Sequence, residues 1–282
     1  MTELVCHPHV RRLIQLALEE DLGFGDVTSV ACLPPSAKAQ GEIVARESGT
    51  LAGLEVARAV FEAVDSRIEW QSRLRDGAVL EPGQQIAQVS GPALSVLAAE
   101  RTALNFLQLL SGMATLTAQY VQAVAPLPVR VVDTRKTIPG WRLLSKYAVR
   151  VGGGHNHRIG LADGVLIKDN HIAVAGSVRE AVRRARENAP HSLRVEVEVE
   201  TLDQLQEALE AGADVVLLDN MDLETLRRAV ALAKGRVLLE ASGGIDLKTI
   251  RAVAETGVDL ISTSRITLDA RPVDFALEVV VQ

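Results

Sequence analysis

Two kinds of hydrophobic patterning divide the chain. From residue 129 onward, apolar runs at 129–132, 164–167, 193–199, 214–218, 236–239 and 258–261 alternate with segments of helical spacing at 178–188, 202–211, 223–233 and 247–255. Short apolar runs separated by amphipathic helices predict βαβ units and a parallel sheet. Nearly every run gives way to polar residues: Arg135, Lys168, Glu198, Asp219, Glu240 and Ser242, Ser262 and Ser264. A (β/α) barrel carries its chemistry at the C-terminal ends of its strands, and this recurrence fits one. There are six such runs rather than eight. Either two strands escape the pattern or the barrel is incomplete.

Before residue 129 the pattern is mixed. Val10, Leu13, Ile14, Ala17 and Leu18 recur at helical spacing and predict a helix near 8–20, followed by a connector at Gly23-Phe24-Gly25-Asp26. Short strands are expected at 41–46, 51–53, 68–70, 78–80 and 85–89, with a helix at 54–64 between them. Pro82-Gly83 has the residue order of a type II turn. Short strands with tight turns and one helix predict an antiparallel sheet covered on one face. A long helix at 93–124 follows, with an interruption expected at Ser111-Gly112. At the other end of the chain, Phe275, Leu277, Val279 and Val281 alternate as a strand that returns to the first sheet.

Composition narrows the partners. Lys and Arg total 30 against 36 Asp and Glu, a net charge of −6, and aromatic residues make up 3%. An acidic, aromatic-poor chain argues against nucleic acid. Cys6 and Cys32 match no metal spacing and form no disulfide framework, as expected of cytosolic thiols. No apolar run approaches a membrane span and no signal peptide is visible, so a soluble, cytoplasmic protein is expected.

Against that acidic background the stretch 129–171 is basic, with Arg135, Lys136, Arg142, Lys146, Arg150, Arg158 and Lys168 outweighing Asp133, Asp163 and Asp169. A basic island in an acidic protein is where an anionic small molecule would sit. Two arginines can grip two carboxylates bidentately, and lysines suit phosphates. Strict alternation puts Glu196, Glu198 and Glu200 on one strand face, tolerable if buried only beside cations, a metal or sugar hydroxyls. Asp219-Asn220 is either a turn or part of the functional rim. Ser242-Gly243-Gly244 enters a helical segment and would let backbone N–H groups approach a phosphate, although it is no Walker loop. His155, His157 and His171 raise zinc, which the surrounding cations disfavour. Arg101, among apolar neighbours, needs either Glu100 or another carboxylate as partner, or an anion.

Taken with Glu20-Asp21-Leu22-Gly23, Gly25-Asp26-Val27-Thr28, Leu51-Ala52-Gly53-Leu54, Glu100-Arg101-Thr102-Ala103-Leu104-Asn105, Asp133-Thr134-Arg135-Lys136-Thr137, His157-Arg158, Lys168-Asp169-Asn170-His171, Leu218-Asp219-Asn220 and Glu240-Ala241-Ser242-Gly243-Gly244-Ile245, the sequence resembles the quinolinate phosphoribosyltransferases over essentially its whole length. The resemblance implies an incomplete (β/α) barrel with a discontinuous N-terminal α+β open-sandwich domain. The division expected is 1–112 with the returning strand at 268–282, and a barrel at 113–267. It implies phosphoribosyl transfer from phosphoribosyl pyrophosphate to quinolinate with decarboxylation, using Mg²⁺, in a homodimer or larger homo-oligomer. Carried over, Arg135, Thr137, His157, Arg158 and Lys168 hold the substrate acid, and Arg101 is contributed across the subunit interface. That displaces the internal pairing of Arg101. Lys136 faces substrate and pyrophosphate, Glu198 and Asp219 surround ribose and metal, and Ser242, Gly243, Gly244 and Ser264 cradle the 5′-phosphate. Ser264 departs from the glycine many relatives carry, and His155 has no role carried over. Two other readings are a Schiff-base lyase using Lys168 or Lys136, and a non-catalytic nucleotide-binding barrel.

Overall fold

Capping side chains set several helix starts. Asp26, Ser177, Thr201 and Asp222 each accept the backbone N–H three residues on, satisfying a donor that has no intrahelical partner. A computed structural model describes residues 2–280. Helices α1 (Thr2–Cys6), α2 (Pro8–Leu22) and α3 (Val27–Cys32) precede β1 (Lys38–Ala45) and β2 (Gly49–Thr50). Then come α4 (Leu54–Val64), β3 (Glu69–Ser72), β4 (Val79–Leu80), β5 (Gln85–Pro92) and α5 (Ala93–Val124). Next are β6 (Arg130–Val132), α6 (Arg142–Val151), β7 (Val165–Ile167), α7 (Asp169–Ala175), α8 (Val178–Asn188) and β8 (Val195–Val199). The chain continues through α9 (Leu202–Ala211), β9 (Val215–Asp219), α10 (Leu223–Ala233) and β10 (Leu238–Ser242). It closes with α11 (Ile250–Ala254), β11 (Leu260–Ser262), α12 (Arg265–Leu268) and β12 (Phe275–Val280).

Two compact units result. One takes the chain up to Ala118, the segment Ile138–Gly153 and the chain from Asp269 on. Its antiparallel sheet has the order β12-β1-β5-β3, and β12 pairs with β1 from Ala45↔Phe275 to Gln40↔Val280. Val281 lies outside the described residues. Ala39, Ile43 and Ala45 of β1 and Ile86 and Val89 of β5 join the apolar core with Val56, Val60 and Phe61 of α4. Segment 138–153, expected in the barrel, belongs here because α6 buries Leu144 and Ala148 in that core.

Two expectations fail in this unit for the same reason. Helix α5 runs unbroken through Ser111-Gly112, and Leu51–Gly53 is no strand. Ser111 Oγ accepts the Ala52 N–H at 3.0 Å and donates to the Ala52 carbonyl at 3.2 Å. A Cβ on Gly112 would come within 2.1 Å of the Arg271 carbonyl oxygen. Small residues there permit close approach rather than breaking the helix. Asp76 accepts from the Gly53 and Leu54 N–H groups at 2.8 and 3.1 Å, which consumes the donors a strand would need.

The second unit, Gln119–Thr137 with Gly154–Leu268, holds a parallel sheet of order β6-β11-β10-β9-β8-β7. Six parallel strands alternating with helices make an incomplete (β/α) barrel. Beside β6 an isolated rung pairs Val132 with His155, through His155 N–H to the Val131 carbonyl and Asp133 N–H to the His155 carbonyl. His155 thus extends the sheet edge through its main chain. Helix α11 is shorter than the expected 247–255, because Asp246 Oδ1 accepts from the Lys248 and Thr249 N–H groups and holds that stretch as a turn. No helix among the described residues is long and apolar enough to cross a membrane.

Candidate active site

Strand register sorts the side chains of the second unit into two chemistries. In a parallel sheet, directly paired residues project to the same face. Glu196 pairs with Leu166 and Val215, Glu198 with Leu217, Glu240 with Leu217 and Leu260, and Ser242 with Asp219. One face therefore carries Glu196, Glu198, Asp219, Glu240, Ser242 and Ser262 among Leu166, Val215, Leu217 and Leu260. The opposite face carries Val195, Val197, Val199, Val216, Leu218, Leu239, Ala241 and Ile261, all buried. The expected glutamate face is real, although Glu200 lies past the end of β8 and is exposed.

Pairing along the polar face is specific. Lys168, one residue beyond β7, donates from Nζ to Glu198. Asp133, fully buried at the end of β6, accepts the His157 N–H at 2.8 Å and the Asn156 amide at 2.7 Å. His157 Nε2 lies 3.1 Å from Glu196 Oε2 and 4.0 Å from Glu240 Oε2. These three residues each bring a ligand atom within 4.8 Å of the others, the donor types and spacing of a divalent-metal site. Burial, then the charge of Glu196, pushes the Glu240 carboxyl up, while His157 and a Ser262 hydrogen bond oppose the rise. Few carboxylates lie near His157 along the chain, but the barrel interior supplies Glu196 and Glu240. His171 is not among them, since its Nδ1 accepts the Lys168 N–H at 2.9 Å.

Cationic groups gather at the same end. Arg135 and Lys136 are exposed after β6 and Thr137 is half-buried. Thr267 Oγ1 donates to the Lys136 carbonyl at 2.8 Å, holding that loop. The Arg158 guanidinium donates to the Gly164 carbonyl at 2.9 Å, and its Nε–H is buried without an acceptor. Burial, then the neighbouring charge of Arg135, lowers the pKa of Arg158 from its ordinary value. Two like charges in reach of one another, with a buried donor unpaired, favour an anion.

A cradle stands at the ends of β9 and β10. Asn220 has a positive φ of 54°, its N–H donates to the Ser242 carbonyl at 3.0 Å, and its amide donates to Asp219 Oδ2 at 2.7 Å. Gly243 has φ 103°, and a Cβ there would fall 2.2 Å from Asn220 Oδ1. Only glycine fits. Gly244 is exposed, and Ser264 is half-buried after β11. Arg101 is exposed on α5; its charge opposes the rise that burial imposes on the Glu100 carboxyl, but no ion pair joins the two.

The sequence marks Glu196 by alternation and Asn220, Glu240 and Ser262 as polar strand ends without giving any of them a role in the site, while Asp133 and Thr267 carry no local signal of one.

Comparison with known proteins identifies the family. Residues 26–111 match the model of the quinolinate phosphoribosyl transferase N-terminal domain, and 113–278 match that of its C-terminal domain. The chain is 42% identical over 273 residues to a probable nicotinate-nucleotide pyrophosphorylase (carboxylating) of Bacillus subtilis, covering 97% of this chain and 94% of that protein. It is 43% identical over 274 residues to the Mycobacterium leprae nicotinate-nucleotide pyrophosphorylase (carboxylating), covering 95% and 96%. The crystal structure of NadC from Streptococcus pyogenes superposes with a TM-score of 0.94 at 42% identity, covering 97% of each chain. The nicotinate-nucleotide pyrophosphorylase from Francisella tularensis gives 0.93 at 42% identity, covering 96% of each. With both domain models matched in order along one chain, the protein belongs to the quinolinate phosphoribosyl transferase family.

Proposed function

We propose that the polar strand ends of the barrel bind quinolinate and phosphoribosyl pyrophosphate and join them. The enzyme transfers the phosphoribosyl group to the pyridine nitrogen of quinolinate and releases CO₂, giving nicotinate mononucleotide and pyrophosphate. The observation that carries the assignment of the acid pocket is the Arg135–Arg158 pair, with a buried guanidinium N–H that has no acceptor. In this reading Arg135 and Arg158 grip the diacid, with Thr137, His157 and Lys168 around it. Ser242, Gly243, Gly244 and Ser264 receive the 5′-phosphate through backbone N–H groups and hydroxyls.

Lys136 neutralises charge developing on the departing pyrophosphate, and Glu198 and Asp219 stabilise the positive charge growing at the ribose carbon. Glu198 and Asp219 are half-buried hard-oxygen donors at the ends of neighbouring strands, which suits Mg²⁺. Bound there, the ion would neutralise pyrophosphate oxygens. The pyridinium formed on the substrate is itself the electron sink for losing the 2-carboxylate. A Schiff-base lysine would have to be desolvated, whereas Lys136 is exposed and Lys168 is paired with Glu198.

We assign the enzyme to the cytoplasm, in keeping with its exposed free Cys6 and Cys32. It acts as a homodimer or larger homo-oligomer in which exposed Arg101 of one subunit completes the site of the next. Mixing inactive Arg101→Ala and Lys136→Ala proteins under subunit exchange should restore activity in hybrid sites. No recovery despite proven exchange removes Arg101 from a shared site. The reaction is tested by incubating the protein with quinolinate, phosphoribosyl pyrophosphate and Mg²⁺ while monitoring CO₂ and pyrophosphate. Release of both is expected, and nicotinate proving the better substrate would overturn the assignment.

A further inference from the structure

Strand β11 lies between β6 and β10 in the parallel sheet. The turn that leaves it therefore stands between the loop carrying Arg135 and Lys136 and the loop carrying Ser242, Gly243 and Gly244. Two threonines of that turn, Thr263 and Thr267, are 6% and 2% exposed. A buried hydroxyl has one proton to place, and it stabilises most the acceptor that has no other donor. Thr267 Oγ1 lies 2.8 Å from the Lys136 carbonyl oxygen and 2.9 Å from that of Ser264. The Ser264 carbonyl already accepts the Thr267 and Leu268 N–H groups at 3.1 and 3.0 Å, whereas no main-chain N–H among the described residues reaches the Lys136 carbonyl. The proton therefore belongs to Lys136. Thr263 Oγ1 donates to the Ile245 carbonyl at 3.1 Å, which likewise has no main-chain donor among the described residues. Each hydroxyl spends its proton on a carbonyl, so neither donates to substrate.

The two threonines are four residues apart and reach opposite neighbours. Lys136 is pinned on both sides, its N–H donating to Thr134 Oγ1 at 3.0 Å and its carbonyl accepting from Thr267. Its ammonium makes no hydrogen bond or ion pair among the described residues. A flexible four-carbon side chain without a partner is aimed only by the main chain that carries it. On the other flank the Ile245 carbonyl anchors the far end of Gly243-Gly244, whose φ values of 103° and 61° belong to residues with no side chain to hold them.

We infer that Thr263 and Thr267 are positioning residues that space the two ends of the phosphoribosyl pyrophosphate site. Thr267 acts through the Lys136 carbonyl at the departing pyrophosphate, and Thr263 through the Ile245 carbonyl at the 5′-phosphate. The inference rests on the site proposed above and adds the element that holds its parts in register. The two ends should respond differently. Misplacing a group that meets charge only as it develops lowers kcat, whereas loosening a cradle that already holds the bound substrate raises KM.

Thr267→Val keeps much of the shape and removes the donor. It should lower kcat about 10-fold with both KM values within about 2-fold of wild type. Thr267→Ser, which keeps the hydroxyl, should return kcat to within about 3-fold of wild type. On a Lys136→Ala background, Thr267→Val should change kcat by less than about 2-fold, because a residue that acts through Lys136 then has nothing left to place. Thr263→Val should raise the KM for phosphoribosyl pyrophosphate about 5-fold and leave that for quinolinate within about 2-fold. A loss that persists without Lys136, Ser behaving like Val, or the same change in kcat and both KM values from either threonine would each overturn the inference. If Thr267→Val fails to fold, Thr263→Val decides, and an unchanged KM for phosphoribosyl pyrophosphate counts against it. An active wild type matched by Thr267→Val sinks this inference alone. A wild type that releases neither CO₂ nor pyrophosphate from the two substrates sinks the functional reading beneath it.

Discussion

In the antiparallel sheet, β1 and β5 turn Ala39, Ile43, Ile86 and Val89 toward one apolar core, while Lys38 and Gln85 face water. In the parallel sheet both faces are withdrawn from water, yet only one is apolar. Val197 and Leu218 are fully buried on that face, while the other buries Glu196, Glu240 and Ser262. Burial in the first sheet removes hydrocarbon from water and stabilises the fold. Burial in the second withdraws polar groups, which costs stability unless each finds a partner. Stability and chemistry are thus carried by different residues, and substitutions should separate them.

Phe61→Ala should act on stability alone. Phe61 is 1% exposed and its ring lies 5.7 Å from that of Trp70, so truncation should cost about 3–5 kcal/mol. Denaturant titration checks this, and the remaining folded protein should keep its kcat. Lys136→Ala should do the reverse. Turnover should fall about 10²- to 10³-fold, or ~2.7–4 kcal/mol of transition-state stabilisation, with quinolinate binding and the unfolding midpoint little changed. Weaker binding at unaltered kcat would remove Lys136 from the chemistry.

A smaller effect is expected at the strand-end cradle. Gly243→Ala meets both a positive φ and Asn220 Oδ1, a strain of ~1–2 kcal/mol that should raise the KM for phosphoribosyl pyrophosphate by about 10-fold. An unchanged KM would show that the cradle does not hold the phosphate.

Glu240 gives the smallest signal. Burial and the nearby Glu196 raise its carboxyl above the ordinary value of 4.5. The folded protein therefore holds this proton more tightly than the unfolded chain. The stability it contributes is fully present below the unfolded value and is lost as pH rises through the raised one. Glu240→Gln, which cannot ionise, should flatten that decline in a series of unfolding midpoints. Parallel curves for the two proteins would exclude Glu240 as its source.

Periodicity made much of this legible in advance. The apolar runs mark each strand of the parallel sheet to within a few residues, because a strand buried between a barrel interior and its helices needs consecutive apolar positions. Alternation in Val195-Glu196-Val197-Glu198 likewise placed both carboxylates on one face. Ser111-Gly112 misled, because small residues break a helix and admit a neighbouring backbone with the same local pattern.

From the sequence alone came the strand and helix periods, the basic island and the glycines at the strand ends, since each is written in the order of neighbouring residues. Only the tertiary structure could pair Lys168 with Glu198, set Glu196 and Glu240 around His157, and move segment 138–153 into the first unit. Those contacts join residues far apart along the chain. Their energies depend on burial and on which proton or lone pair faces which partner, and spacing does not encode either.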